Sequence, residues 1–183
     1  MNLANKLTIS RICLVPLFLL MFYLPIENSS LYAAIIFIIA SITDTLDGYV
    51  ARKYDLISNF GKFIDPIADK LLVTSAFIIL VQIGKMDAII AIIMISREFI
   101  ISGFRLVAAA EGIVIAAAWL GKIKTVLQII AIVAMLLADT IYAPIGEPLA
   151  YAVMILAMMF SILSAIEYFM KNKQVLNQIT SVK

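Results

Sequence analysis

Six apolar stretches, at approximately 12 to 26, 31 to 50, 66 to 84, 87 to 110, 120 to 139 and 147 to 170, dominate the 183-residue chain. Most approach the ~20 residues that a helix needs to cross the hydrocarbon core of a bilayer. Hydrophobic residues make up 64% of the chain and charged residues 14%, against roughly half and about a quarter in an ordinary soluble domain. So short a chain cannot hide that much apolar surface in its own interior. The expected fold is therefore all-α: a polytopic membrane protein with six transmembrane helices, one domain over residues 1–183. Ahead of the first span, Asn2 to Ser10 alternates Leu3, Leu7 and Ile9 with Asn5, Lys6, Thr8 and Ser10, which predicts a short N-terminal interfacial segment. The first stretch follows Lys6 and Arg11 as a signal-peptide core would, but no small-x-small cleavage site follows Pro25, so it is read as a spanning helix.

Six spans put both ends of the chain on one side, and the basic residues say which side. Lys6, Arg11, Arg52, Lys53, Lys62, Lys122, Lys124, Lys171, Lys173 and Lys183 fall in the termini and in the connections after the second and fourth spans. The opposite connections offer only Lys85. By the positive-inside rule both termini are cytoplasmic, in the cell membrane, and the turns near Asn28, Gly84 and Gly146 face outward.

The chain has no histidine and one cysteine, Cys13, set in an apolar run with no neighbour that would activate it. A histidine or thiolate metal site and an internal disulfide are therefore excluded. Any chemistry runs on carboxylates, amines, hydroxyls and hard cations. Tyr23, Trp119, Tyr142 and Tyr168 read as interface anchors, and Gln128 as an interhelical hydrogen-bonding residue.

Four of the twelve acidic residues cluster. Asp44 and Asp47 lie near the cytoplasmic end of the second stretch, with Gly48, Ala51 and Arg52 at helical offsets on the same face. Gly61, Asp65 and Asp69 open the third stretch at the same membrane level, beyond a polar turn through Ser58 and Asn59. Charges inside spanning segments are costly and mark function. Two like charges about 4 Å apart cost on the order of 4 kcal/mol at an effective dielectric near 20, so carboxylates converging at one depth need positive charge between them. Arg52, Lys62 and Lys70 are near in sequence, but an all-oxygen donor set matches hard cations, Mg²⁺ or Mn²⁺, and four carboxylates suit two ions. A plainer reading exists for one pair: Asp65 as an N-cap, Pro66 at the first helical position and Asp69 favouring the helix dipole. No helix start lies at Asp44 and Asp47 to support the same reading there.

Together these residues resemble the CDP-alcohol phosphotransferase family, whose signature D-x2-D-G-x2-A-R-x8-G-x3-D-x3-D is complete in Asp44, Asp47, Gly48, Ala51, Arg52, Gly61, Asp65 and Asp69. The resemblance implies that Asp44, Asp47 and Asp65 ligate two divalent cations, with Asp69 in the same metal site as general base. It also implies that Gly48, Ala51, Arg52, Ser58, Gly61 and Thr8 bind the CDP-lipid. In this chemistry the acceptor hydroxyl attacks the phosphorus bearing the diacylglycerol and CMP departs. A homodimer packed through membrane helices, membrane lipid as surroundings and no nucleic-acid partner are further expectations.

The acceptor is read from the fourth and fifth stretches. Glu98, Ser102 and Arg105 lie within about 60° of one another on a helix, with Arg97 about 100° from Glu98. One carboxylate cannot pair two arginines, and Lys122 and Lys124 enter from the same side, as phosphate-binding cations or as ordinary positive-inside anchors. Arg97, Ser102, Arg105, Lys122 and Lys124 are thus the candidate acceptor-phosphate pocket. The Asn5-x-x-Thr8 opening with Arg11, the Arg97-Glu98 and Ser102-Gly103-Phe104-Arg105 run, and Gly121-Lys122-Ile123-Lys124-Thr125 resemble the branch of the family that makes phosphatidylglycerol phosphate, with glycerol 3-phosphate as acceptor. An inositol phosphate or another alcohol acceptor is the alternative within the family. A divalent-cation transporter is the alternative of another class, against which the glycines and Arg52 speak.

Overall fold

The computed structural model describes residues 3–53, 59–113, 115 and 119–180, with side chains for 8–44, 67, 68, 70–113, 115, 119–140 and 145–176. All regular structure among the described residues is helical: α1 (Leu3–Leu20), α2 (Ser29–Lys53), α3 (Asn59–Gln82), α4 (Ala88–Ala110), α5 (Trp119–Lys171) and α6 (Lys173–Thr180). Each apolar stretch of the sequence lies on one of the first five helices, and α5 carries two.

The long α5 folds back on itself. A straight helix would hold Ala138 and Gly146 about 12 Å apart along its axis. Instead, a Cβ built on Gly146 would sit 2.5 Å from the carbonyl oxygen of Ala138. Only glycine allows that approach. Two arms result, Trp119–Thr140 and Ile145–Lys171, and these are the helical segments long and apolar enough among the described residues to cross a membrane. Shorter apolar segments cover Thr8–Leu20, Ser29–Asp44 and Lys70–Gln82.

Helix ends are set by local chemistry. Beyond α3, Gly84 (φ +74°) donates to Val81 while Lys85 donates to Leu80; beyond α4, Gly112 (φ +75°) donates to Ala109 while Ile113 donates to Ala108. Both are left-handed glycine stops that satisfy carbonyls otherwise left open at the helix end. At the Gly84 end of the bundle, Tyr23 meets Gln82 at 3.4 Å, Tyr151 donates to Asp87 at 2.5 Å, and Lys85 reaches Asp139 at 2.7 Å and the Met135 carbonyl at 3.1 Å. The turns after α1 and α3 and the fold-back of α5 therefore share one level, as an up-and-down bundle requires.

α1 packs between α2 and α3, while α5 closes against α2, α3 and α4. Fully buried Phe18, Phe37 and Phe77 fill the centre, and Ala33, Ala34, Ala40, Ala76, Ala131 and Ala157 let the helices approach closely. Outward faces remain strongly apolar: Ile89 is 71% exposed and Leu106 74%. Cys13 is on such an exposed face.

Two expectations are corrected, and one helix is new. The N-terminal residues do not form a separate interfacial piece, because α1 runs unbroken from Leu3 and turns Thr8 and Arg11 into the bundle, where both are buried. Nothing between Leu3 and Pro16 breaks a helix, so the segment continues inward. Tyr168 is no interface anchor: it is buried, with ring contacts to Phe104 and Phe169. The short helix α6, with Val175 packed on the Ile101, Ala108 and Tyr168 cluster, was not anticipated.

Candidate active site

α1, α2, α3, α4 and α5 each contribute polar side chains to a cavity of about 110 Å³, whose lining includes Arg11, Ser41, Asp44, Lys70, Thr74, Glu98, Lys124, Thr125 and Gln128. Charge enters it from each of these five helices, in a bundle whose centre is otherwise filled largely by apolar side chains. Such groups survive in an apolar interior only when paired or functional.

Two ion pairs organise the cavity. Arg11, 1% exposed, pairs through Nη1 with Oδ1 of Asp44, whose side chain remains 42% exposed. Arg11 is thus not a flanking anchor, since the continuous α1 carries it into the core opposite α2. Across the cavity Lys124, 2% exposed, pairs with Glu98, and Arg97 lies 3.6 Å from the other Glu98 oxygen. Lys124 is therefore not an ordinary anchor in the headgroup region. Its neighbour Lys122 is exposed and lies over the Trp119 ring at 5.7 Å. Two residues along a helix turn about 200°, which sends these lysines to opposite faces.

The rest of the predicted acceptor set diverges from the cavity. Arg97 donates from Nη2 to Ser164 Oγ at 2.8 Å, and that hydroxyl donates to the Ser161 carbonyl at 2.9 Å. Arg105 is exposed and Ser102 half-buried; neither lines the cavity. Only Lys124 of that group stands with Asp44. Sequence reading missed the inward placement of Arg11 and the cavity position of Gln128. The available signal for Arg11 was its place three residues after Thr8, on the same helical face.

Of the aspartate signature, the Asp44 side chain is described, and those of Asp47, Asp65 and Asp69, with Ala51 and Arg52, lie outside the described residues, as do the surroundings of Gly48 and Gly61 and the whole of Ser58. The helices still decide one question. α3 begins at Asn59, so Asp65 falls in its second turn and does not cap it. The capping explanation of Asp65-Pro66 is thereby removed. Asp44 also passes a chemical test for a hard cation: it is an oxygen donor on a cavity wall with Arg11 engaging one of its oxygens, and neither sulfur nor imidazole is found among the described residues that line the cavity.

A helical bundle with apolar outer faces, and with cations and carboxylates facing one cavity, defines a membrane protein with a charged site among its helices. The chain belongs to the CDP-alcohol phosphatidyltransferase family, whose sequence profile matches residues 1–163. A relative from Bacillus subtilis, 47% identical over 96% of this chain and 97% of its own length, is a CDP-diacylglycerol–glycerol-3-phosphate 3-phosphatidyltransferase. Relatives with the same name occur in Haemophilus influenzae, at 42% identity over 91% of both chains, and in Escherichia coli, at 39% over 90% of this chain and 94% of the relative. The protein is accordingly a phosphatidyltransferase, and the cation-transporter alternative falls away.

Proposed function

We propose that this chain transfers the phosphatidyl group of CDP-diacylglycerol to glycerol 3-phosphate, forming phosphatidylglycerol phosphate and CMP. The observation that carries the reading is the near-full-length similarity to relatives that bear this activity in their names, in a chain with all eight signature positions. The same similarity favours glycerol 3-phosphate over an inositol phosphate acceptor.

Asp44, Asp47, Asp65 and Asp69 form the site for two divalent cations, Mg²⁺ or Mn²⁺. Bound there, such ions would neutralise charge developing on the phosphates. The residues of the chain do the remainder. Asp69 accepts the proton of the acceptor hydroxyl as its oxygen bonds to the phosphorus bearing the diacylglycerol; the bond from that phosphorus to the CMP oxygen breaks, and CMP leaves with the electron pair. Arg11 holds the Asp44 carboxylate from the core side. Thr8, Gly48, Ala51, Arg52, Ser58 and Gly61 receive the CDP group. Lys124 stands on the basic side of the site, where the acceptor's phosphate is bound.

The chain sits in the cell membrane with six spans, counting both arms of α5, and with its termini and site cytoplasmic. The alternation of helix ends and the concentration of Lys and Arg at one of them support that topology. The outward apolar face of α4, with Ile89, Ile92, Phe99, Ile100 and Leu106, is exposed for lipid or for the second copy of a homodimer. The deciding experiment is CMP release from CDP-diacylglycerol by purified protein. Release that depends on glycerol 3-phosphate and not on inositol phosphate is the expected result; the reverse preference overturns the acceptor assignment.

A further inference from the structure

Gln128 stands on the first arm of α5, one turn beyond Lys124, and lines the cavity that holds Asp44 and Glu98. It is 3% exposed, and its Oε1 has no hydrogen-bond partner among the described residues. A buried amide oxygen without a donor is costly, more so among membrane helices where water does not compete for the bond. Two of the hydroxyls that line the cavity are engaged with their own helices. Thr125 donates to the Gly121 carbonyl at 3.0 Å and Ser41 to the Phe37 carbonyl at 2.8 Å. Lys124 is committed to Glu98.

Resting on the functional reading above, we propose that Gln128 is a specificity residue that accepts a hydrogen bond from the hydroxyl of the acceptor that does not react. An uncharged acceptor oxygen selects a donor. A phosphate has none at neutral pH, whereas glycerol 3-phosphate carries two hydroxyls, one consumed in the transfer and one left. Lys124, Gln128 and Asp44 line the same cavity, so a molecule that spans it from the lysine to the carboxylate can meet the amide. The contact discriminates by leaving Gln128 unpaired when that hydroxyl is missing.

The test compares kcat/KM for glycerol 3-phosphate and for 3-hydroxypropyl phosphate, which lacks the second hydroxyl, on the same preparation, so that the active fraction cancels in the ratio. The native chain is expected to prefer glycerol 3-phosphate by about tenfold, as one neutral hydrogen bond would give. Q128M, and Q128A should methionine overfill the site, reduces that preference to near unity, while Q128E, which keeps an oxygen acceptor, retains most of it. An unchanged preference in Q128M and Q128A overturns the proposal, as does a native chain that accepts both compounds equally. If the variants instead lose discrimination between CDP- and 2′-deoxy-CDP-diacylglycerol, the amide faces the ribose and the proposal also falls. Absence of CMP release by the native chain with either acceptor would refute the functional reading itself, and this inference with it.

Discussion

Replacing Gly146 with alanine tests the fold-back of α5, which returns the second arm beside α4. The added Cβ would stand 2.5 Å from the Ala138 carbonyl oxygen, and ordinary contact begins at 3.4 Å, so the two arms must part by about 0.9 Å. The obstacle is backbone, which cannot rotate aside. Overpacking of this kind costs about 1–3 kcal/mol, offset by the ~1 kcal/mol that alanine gains over glycine in a helix. Gly103, within α4, has nothing within 4 Å of its would-be Cβ and serves as the control. G103A should gain up to ~1 kcal/mol, and G146A should lose up to about 2 kcal/mol. The overpacking cost separates the two variants, and at about 2–4 °C per kcal/mol for a chain of this size they should differ in Tm by about 2–12 °C in detergent. A G146A protein as stable as G103A would mean that the chain does not turn back at this point.

K124M leaves Glu98 with Arg97 alone, at 3.6 Å, in place of the buried pair; it should cost about 3 kcal/mol by thermal denaturation in detergent, the low end for breaking a buried ion pair, and K124M/E98Q should recover at least half of that. D69N should abolish CMP release while CDP-lipid binding persists; near-normal turnover would remove Asp69 as the base. Chelation with EDTA should stop CMP release, and added Mg²⁺ or Mn²⁺ should restore it; full activity in chelator would eliminate the metal site. In a C13S background, a cysteine at Asn28 should react with a membrane-impermeant reagent from outside and one at Lys173 should not, and the opposite pattern would reverse the topology.

Composition and periodicity were enough to read an all-helical chain in lipid, because apolar runs of this length leave the backbone no other way to satisfy its hydrogen bonds. The aspartate spacing was equally legible, since carboxylates one helical turn apart share a face whatever surrounds them. Only tertiary packing could show that α1 continues through its polar start, which buries Arg11 against Asp44, or that Lys122 and Lys124 part company, one to the exterior and one to Glu98. The same packing carried Arg97 toward Ser164 and left the amide of Gln128 facing the cavity. Sequence spacing fixes which side chains share the face of one helix. Which helix meets that face, and so which charge finds a partner, depends on how close alanine-lined surfaces let neighbouring helices come and on where a glycine turns the chain back.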